Sequence, residues 1–364
     1  MKSLISYIYL LLNLYLASCS FQTLFFQEIN KEYINKNVLI SPLSAYQVLG
    51  LTSNGAKGET LDQMLLALEN SNLEELNENN QNILKLFKDF STIEIANAVM
   101  SKFNPKATFL EAAELYEATV EPLKSVTQVN NWCSLKTHGK IEKIIDELDE
   151  SALMVLLNAI YFKGTWKIEF DPKNTTKQEF YNYNDQSKSK KVDLMKVKEK
   201  FNYYEDRDVQ IIELPYKSDY MSAVIILPGG DINEYISELD DDKLQRLLKR
   251  MNEQEVEIHL PKFQIEFSSL LNTVLQKLGM ILPFKGDADF TGMIDDSLYI
   301  SYVIQKSFLS IDEQGTEAAA VTAVVMRNGI NYKMVCDRPF LFMLRNKRLP
   351  QNYEMLFMSK IEEL

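Results

Sequence analysis

The order of apolar and polar positions divides this chain into two parts. As far as about Glu147, apolar residues recur at helical spacing, which predicts amphipathic helices. From Ala152 onward the pattern changes to continuous apolar runs and to alternation, both of which predict β-strands. These runs are MVLLNAIYF, VQIIELPY, MSAVIILP, VEIHLPKF, LYISYVIQ, FLSIDE and YEMLFM. Helices return only at DDKLQRLLKRM and SSLLNTVLQKLGM.

This segregation indicates an α+β fold built around large, mostly antiparallel sheets rather than alternating βαβ units. No internal repeat or proline-rich linker interrupts the pattern, so we expect a single folded domain. The acidic, Asn-rich stretch LENSNLEELNENNQN predicts a solvated helix face or a loop. The basic run SKSKK, residues 187–191, predicts a solvated loop, with a heparin-like ligand as the alternative.

One segment fits neither part of the pattern. Residues 315–330 read GTEAAAVTAVVMRNGI, small and apolar, with charges only at Glu317 and Arg327. That composition predicts a buried strand, whereas the Asn328-Gly329 turn signal and the polar neighbours predict an exposed connection. Proteins normally interrupt such an exposed strand with charge or proline because it promotes aggregation. Its retention suggests that the protein uses it.

The N-terminal sequence MKSLISYIYLLLNLYLASCS has the layout of a secretory signal peptide. Lys2 precedes an apolar run from Leu4 to Ala17, which is short for a membrane span, and small residues follow. We predict a signal peptide over residues 1–19, with a boundary uncertain by about two residues, and a secreted, extracellular protein. As a minor alternative, Leu16-Ala17-Ser18-Cys19 would place a lipid anchor on Cys19.

Composition and charge exclude several classes of partner. The 364 residues are 46% apolar and 25% charged, which is ordinary for a globular protein. A net charge of -12 argues against nucleic acid and against anionic membranes as partners, because an acidic field repels phosphate. After loss of Cys19, only Cys133 and Cys336 remain, and a disulfide between them stays open. Asn174 begins a glycosylation sequon, so we expect a glycoprotein in a eukaryotic secretory route.

The chemistry-bearing residues form no recognisable catalytic site. The two histidines, His138 in a polar turn and His259 in an alternating strand, are not accompanied by a serine or cysteine nucleophile motif. Clustered Cys and His residues for zinc and the glycine loops of nucleotide sites are also missing from the sequence. We therefore predict no catalytic residue, no metal and no cofactor. A carboxylate-based hydrolase remains the enzymatic alternative, since pairs of acidic residues cannot be read from sequence.

Eight segments, taken in order, resemble the serpins. They are NVLISPLSAYQVLGLTSNGAKGETLDQM, VNNWCSLKTHGKIEKIID, LNAIYFKGTWKIEFDP, FNYYEDRDVQIIELPYKSDYMSAVIILP, VEIHLPKF, LGMILPFKGDADFTGM, IDEQGTEAAA and DRPFLFMLRN. Each is weakly specific alone, but the ordered set is very specific and covers nearly the whole mature chain. The resemblance implies a serpin fold over residues 20–364, with three β-sheets, about eight or nine helices, and an exposed reactive-centre loop at about 315–335.

The resemblance also implies a suicide inhibitor rather than an enzyme. A protease serine attacks the loop and forms an acyl-enzyme, and the cleaved loop then inserts as a central strand of the largest sheet and distorts the protease. The implied partner is a serine protease in a covalent acyl complex, with a cysteine protease as a variant, and we expect a monomer. The alternative is a non-inhibitory serpin that acts as a carrier, storage protein or chaperone.

The resemblance assigns roles to three groups of residues. The hinge that starts insertion comprises Gly315, Thr316, Glu317, Ala318, Ala319 and Ala320, which are small and free of proline, as an inhibitor requires. The polar and aromatic residues around the opening of the sheet, here called the sheet-opening cluster, are Ser41, Ser44, Asn158, Trp166 and Gln305. Gln305 stands where most serpins have a histidine, and an amide can still donate and accept. Ser359 replaces a usual glycine and would need a local backbone adjustment.

The bond that the protease would cut stays open. Counting forward from Gly315 at the common serpin spacing gives Gly329, whereas counting back from Pro339 gives Asn328 or residues just before it. Judged by its side chain, Arg327 is the best candidate for the residue before the cut, because a trypsin-like pocket pairs an acidic group with a guanidinium. Met326 would instead suit a chymotrypsin-like or elastase-like pocket. We favour Arg327 and a trypsin-like target.

Overall fold

A computed structural model describes residues 19–87, 93–162, 164–315 and 332–364. Residues 1–18 of the predicted signal peptide lie outside these ranges. The same is true of the hinge beyond Gly315 and of all the candidates for the cut bond: Thr316, Glu317, Ala318, Ala319, Ala320, Met326, Arg327, Asn328 and Gly329. The hinge and bait assignments for these residues therefore stay predictions.

Nine α-helices lie within the described ranges, most of them in the first part of the chain, as the pattern predicts. They are α1 (Phe21–Glu32), α2 (Pro42–Ser53), α3 (Gly58–Ala67), α4 (Leu73–Phe87), α5 (Ala107–Leu115), α6 (Val126–Lys136), α7 (Ile232–Ser237), α8 (Asp241–Arg250) and α9 (Asn272–Lys277). The local sequence explains where α2 begins. Ser41 caps α2, since its side chain accepts from the Ser44 amide, and Pro42 follows at the first helical position.

Fourteen β-strands also lie within the described ranges, and the first three interrupt the part of the chain in which the pattern predicts helices. They are β1 (Val38–Ile40), β2 (Ile93–Ser101), β3 (Thr119–Pro122), β4 (Met154–Phe162), β5 (Thr176–Tyr181), β6 (Ser189–Glu205), β7 (Val209–Pro215), β8 (Met221–Pro228), β9 (Asn252–Pro261), β10 (Phe263–Leu270), β11 (Ile300–Ile311), β12 (Tyr332–Val335), β13 (Phe340–Asn346) and β14 (Met355–Ile361).

The strands form two hydrogen-bonded sheets. One has five strands in the order β10-β11-β4-β2-β3. The other has nine strands in the order β1-β14-β13-β8-β7-β6-β9-β12, with β5 paired to β6. The 17-residue strand β6 joins its two ends, because its first part pairs with β5 and β9 and its last residues pair with β7. The nine-stranded sheet thus supplies both the second and the third sheet of the expected fold.

The five-stranded sheet is covered on both faces. On one face, α2 packs against β2 and β4, and all twelve of its residues are buried. On the opposite face, α6 packs through Val129, Trp132 and Cys133 against side chains of β4 and β11. All nine residues of β4 are buried accordingly, and the run MVLLNAIYF shows no alternation.

The acidic, Asn-rich stretch is not simply a solvated surface. Asn77 on α4 exchanges two amide hydrogen bonds with Asn54, at 2.9 and 3.0 Å. Asn80 is fully buried and donates to the hydroxyl of Tyr116 at 3.2 Å. The prediction missed these contacts because an amide can be buried when it is hydrogen-bonded, and its partners lie outside the local sequence.

Two further predictions can be compared with the fold. Cys133 and Cys336 are separate buried thiols and form no disulfide. Lys190 and Lys191 of the basic run are exposed but lie in β6, paired with β5, so this part of the run is a strand and not a loop. Among the helices of the described residues, none is long and apolar enough to cross a membrane.

Candidate functional site

The sheet-opening cluster begins as a row of amide side chains across three neighbouring strands. Gln305 on β11 is the register partner of Asn158 on β4, and Asn158 is the partner of Asn97 on β2. Directly opposed residues point to the same face, so the three side chains lie side by side. The Gln305 amide nitrogen donates to the Asn158 oxygen at 2.8 Å, and the Asn158 nitrogen donates to the Asn97 oxygen at 2.6 Å.

The start of α2 closes the cluster from below. The Gln305 side chain accepts from the main-chain nitrogen of Ser41 at 2.9 Å and donates to the Ser41 carbonyl at 2.8 Å. Asn158 also donates to the Ser44 hydroxyl. All these groups are buried, so their hydrogen bonds must be made within the protein.

The arrangement leaves most polar groups of the β4–β11 seam bonded to their own side of it. A single side-chain hydrogen bond of the cluster, from Gln305 to Asn158, crosses from β11 to β4. If the strands part, Gln305 keeps its two bonds to Ser41, and Asn158 keeps Asn97 and Ser44. Only the Asn158 oxygen would lose its side-chain donor, so an inserted strand would have to offer it a new hydrogen bond.

Four of the five predicted cluster residues are thus joined by hydrogen bonds, whereas the fifth, Trp166, lies apart from them. Trp166 is buried at the upper end of the seam, where its indole nitrogen donates to the Asp312 carbonyl at 3.1 Å. Its ring stacks on Tyr216 at 4.3 Å between centroids. Its main-chain nitrogen donates to the Gln314 carbonyl at 3.0 Å, which fixes the chain just after β11.

A tight turn connects the end of β11 to the predicted hinge. Asp312 and Gly315 exchange two main-chain hydrogen bonds, at 3.1 and 3.2 Å, as antiparallel neighbours. Gly315 has φ of +117°, and a Cβ atom there would lie 2.3 Å from the Gly164 carbonyl oxygen. Only glycine satisfies both conditions, so the sequence-based expectation of backbone freedom at Gly315 agrees with the geometry.

The same turn holds an ion pair that sequence reasoning missed. Glu313 is buried, and its carboxylate accepts from Lys262 at 2.9 Å and from the Thr175 hydroxyl at 2.9 Å. Loss of hydration opposes ionisation, but these hydrogen bonds prevail and lower the pKa of Glu313. Lys262 and Thr175 lie far from Glu313 in sequence, so no local pattern indicates the contact.

Asn97 was missed as well, although the sequence holds a signal for it. It is a polar residue in the middle of the apolar strand IEIANAVMS, and an unsatisfied amide there would be costly. The departure at Ser359 proves harmless: it lies in the regular ladder of β14, and its hydroxyl donates to the Phe342 carbonyl at 2.6 Å. No backbone adjustment accompanies it.

The two histidines do not assemble a nucleophilic site with the described residues around them. The imidazole of His259 lies 2.6 Å from the Glu257 carboxylate, while His138 occupies a turn with φ of +50°. Within the described ranges, no group of three His, Cys, Asp or Glu side chains is placed to hold a metal ion.

Comparison with known proteins identifies this architecture. The sequence model of the family described as "Serpin (serine protease inhibitor)" matches residues 16–364. The chain belongs to the serpin family. "Iripin-2" of Ixodes ricinus is 33% identical over 358 residues, covering 90% of this chain and 88% of that protein. "Leukocyte elastase inhibitor" of Xenopus laevis is 34% identical over 347 residues, covering 88% and 92%.

Solved serpin structures match this serpin over most of its length. The thermophilic serpin tengpin in its native state superposes with a TM-score of 0.85 at 31% identity, covering 95% of this chain and 93% of tengpin. Human thyroxine-binding globulin, solved with thyroxine, gives a TM-score of 0.87 at 25% identity, covering 95% and 97%. The prediction of a serpin fold is confirmed.

The sheet topology also gives the conformational state of this serpin. β4 and β11 are direct parallel partners over eight residue pairs, from Met154 and Ile300 to Tyr161 and Phe308. A loop inserted as a central strand would separate these two strands. The described structure is therefore the five-stranded form, with β4 and β11 still paired.

Proposed function

We propose that this serpin is a secreted inhibitor of serine proteases, which traps the acyl-enzyme when its cleaved loop inserts between β4 and β11. One observation carries the proposal: a parallel, polar-bridged seam ends beside a turn that already starts a hairpin on β11. A strand arriving from that turn runs antiparallel to β11 and hence also to β4. Insertion would replace one parallel pairing by two antiparallel ones, which are slightly more stable per residue.

The turn fixes the register of the inserting strand. Asp312 already faces Gly315, so each step forward along the loop is matched by one step back along β11. Thr316 then faces Ile311 and Val325 faces Tyr302, beyond which an irregularity between Ile300 and Tyr302 interrupts the register of β11. The segment from Thr316 to Arg327 has the same length as the strand it would join.

The same register brings Thr322 opposite Gln305 and, because Gln305 faces Asn158, between the two amides. A threonine hydroxyl can donate and accept, so it can replace the hydrogen bond that opening breaks. On the other face, Ala319 and Ala323 would lie opposite Phe308 and Ile304, beneath α6. Small side chains at these positions leave room for the large ones already there.

Arg327 is proposed as the residue before the cut on the chemistry of its side chain. A trypsin-like protease would bind its guanidinium in an acidic pocket. Secretion is proposed from the N-terminal leader pattern, and glycosylation from the exposed position of Asn174.

The test is incubation with trypsin-like, chymotrypsin-like and elastase-like proteases, followed by denaturing gels and mass spectrometry of the released peptide. We expect an SDS-stable complex with a trypsin-like protease and a released peptide that begins at Asn328. A Thr316→Arg variant should be cleaved without forming a complex, because a large cation opposite Ile311 would stall insertion. Cleavage of the wild-type loop with no complex against any protease would refute the inhibitory function.

A carrier function is the second candidate, favoured by the similarity to thyroxine-binding globulin, which was solved with its ligand. The two functions differ in what cleavage does. An inserting loop should raise the thermal midpoint of the cleaved protein strongly, whereas a loop that remains outside the sheet should leave it nearly unchanged. Differential scanning calorimetry before and after loop cleavage separates them.

A further inference from the structure

The polar groups at the start of α1 converge on one carboxylate. Asp241, the first residue of α8, accepts hydrogen bonds from the hydroxyls of Ser20 and Thr23, each at 2.8 Å. The Gln22 amide lies 3.3 Å from the same carboxylate, and the main-chain nitrogen of Ser20 also donates to it. Ser20 has no side-chain capping bond within its own helix, so Asp241 caps α1 from another element.

This site carries negative charge without a matching cation. Glu69 accepts from the main-chain nitrogen of Phe21, and loss of hydration together with the Asp241 carboxylate raises the pKa of Glu69 to about 7. Among the described residues, no lysine or arginine pairs with Asp241 or Glu69. The helix dipole of α1 supplies only a partial positive charge.

A buried acceptor at the same site has no donor. Gln22 is 3% exposed, and its amide nitrogen is shared by Asp241 and the Gln351 carbonyl. Its side-chain oxygen has no hydrogen-bond partner among the described residues. Buried polar atoms are normally satisfied, so the start of α1 holds both an unpartnered acceptor and carboxylates without a cation, one of them bonded to the main-chain nitrogen of Ser20.

The sequence before Ser20 indicates what could supply the missing positive charge. Small residues, Ala17 and Cys19, stand at the third and first positions before the Cys19–Ser20 bond, which is the pattern that leader peptidases cut. We infer that the Cys19–Ser20 bond is a processing site, and that the α-ammonium group it releases on Ser20 is bound by Asp241.

The chemistry is peptide-bond hydrolysis by a leader peptidase. Water adds across the amide, Cys19 leaves with a new carboxylate, and Ser20 retains an amine that takes up a proton near neutral pH. An ammonium group offers three hydrogen-bond donors where the amide offered one, and it adds a full positive charge beside the Asp241 carboxylate. Removal of the leader then adds an ion pair at the junction of α1 and α8. This inference does not depend on protease inhibition.

The first measurement is the intact mass of the protein after secretion of the full chain by a host with a leader peptidase. The expected mass is that of residues 20–364, with any glycan removed. A chain that keeps its leader, starts at another residue, or carries a lipid on Cys19 would refute the processing site.

The second measurement tests the ion pair on the secreted protein. We expect the α-amine of Ser20 to react about tenfold more slowly with an acylating reagent at pH 7 than in an Asp241→Asn variant, because a one-unit rise in its pKa reduces the neutral amine about tenfold. Acetylation of that amine should also lower the thermal midpoint of the wild type. The control is Asp242→Asn, the exposed neighbour on α8, which should react like the wild type.

Equal acylation rates in the wild type and Asp241→Asn, or an unchanged midpoint after acetylation, would show that Asp241 only caps α1. If Asp241→Asn does not fold, the comparison of free and acetylated wild-type protein still decides the question. Both readouts are independent of any protease assay.

Discussion

At the scale of single residues, Gln305 is the side chain on which the polar seam depends. In the family pattern, a titratable histidine usually stands at this position. The Gln305 amide makes its hydrogen bonds to Ser41 and Asn158 without carrying a charge. The cluster formed by Ser41, Ser44, Asn97, Asn158 and Gln305 therefore contains no group that ionises near neutral pH.

Removal of the Gln305 side chain should destabilise the protein markedly. Gln305→Ala leaves the Asn158 oxygen and the main-chain nitrogen of Ser41 without these partners, while the Ser41 carbonyl still accepts from Ala45. Each orphaned buried group costs about 1–3 kcal/mol. Urea unfolding followed by tryptophan fluorescence measures the loss. Gln264→Ala, at an exposed position on β10, is the control. Equal effects of the two substitutions would contradict the role of the cluster.

His259 predicts a pH dependence of stability. Burial lowers its pKa more than the Glu257 carboxylate raises it, with Lys333 and Lys196 opposing protonation. The unfolded chain, with an ordinary pKa near 6.5, therefore binds a proton that the folded chain refuses. Stability contributed by neutral His259 is present above about pH 6.5 and is lost as the pH falls below it.

The prediction is tested by subtracting unfolding free energies of a His259→Gln variant from those of the wild type. The difference should decline between about pH 7 and pH 5. The subtraction is needed because the raised pKa of Glu69 has the opposite effect, lowering stability as the pH rises from about 4.5 to about 7. A flat difference would contradict a neutral, buried His259.

At the scale of elements, the turn after β11 decides how the loop leaves the sheet. It is held by the Asp312–Gly315 pair, by Glu313 with Lys262, and by Trp166. In the sequence, the only signal for this turn is Gly315. The partners come from the segments that follow β4 and β9, so sequence patterns could predict the flexibility at Gly315 but not the contacts that set its direction.

Gly315→Ala should weaken this turn. The left-handed φ and the contact of a Cβ atom with Gly164 oppose any side chain, and strain of this kind costs about 1–3 kcal/mol. Thermal unfolding of the variant is compared with Gly230→Ala, where a Cβ atom meets nothing within 4 Å and φ is not left-handed. If both variants unfold at the same temperature, the turn geometry is not a constraint.

At the scale of the whole molecule, the proposed function requires that a strand can insert between β4 and β11. A peptide with the sequence of residues 316–327, TEAAAVTAVVMR, should bind the intact protein in the antiparallel register given by Asp312 and Gly315. It should raise the thermal midpoint and abolish complex formation with protease, because its site would no longer be vacant for the loop. A scrambled peptide is the control, and equal effects would exclude a sequence-specific register.

The sequence alone determined the class of fold and the positions of most of its elements, but it missed β1, β2 and β3, which lie where the pattern predicts helices. Its periodicity predicts the later strands, and the ordered segments resemble one family. These properties are local, because the period of apolar positions reflects the backbone conformation of the segment that carries it.

Tertiary structure alone decided which distant groups meet. It placed Asn97 beside Asn158, Lys262 against Glu313, and the first residues of α1 on Asp241. It also paired β4 with β11, and so set the five-stranded state and the register open to the loop. Hydrogen bonds and ion pairs act over a few ångströms, and only the folded chain brings residues so far apart in sequence within that distance.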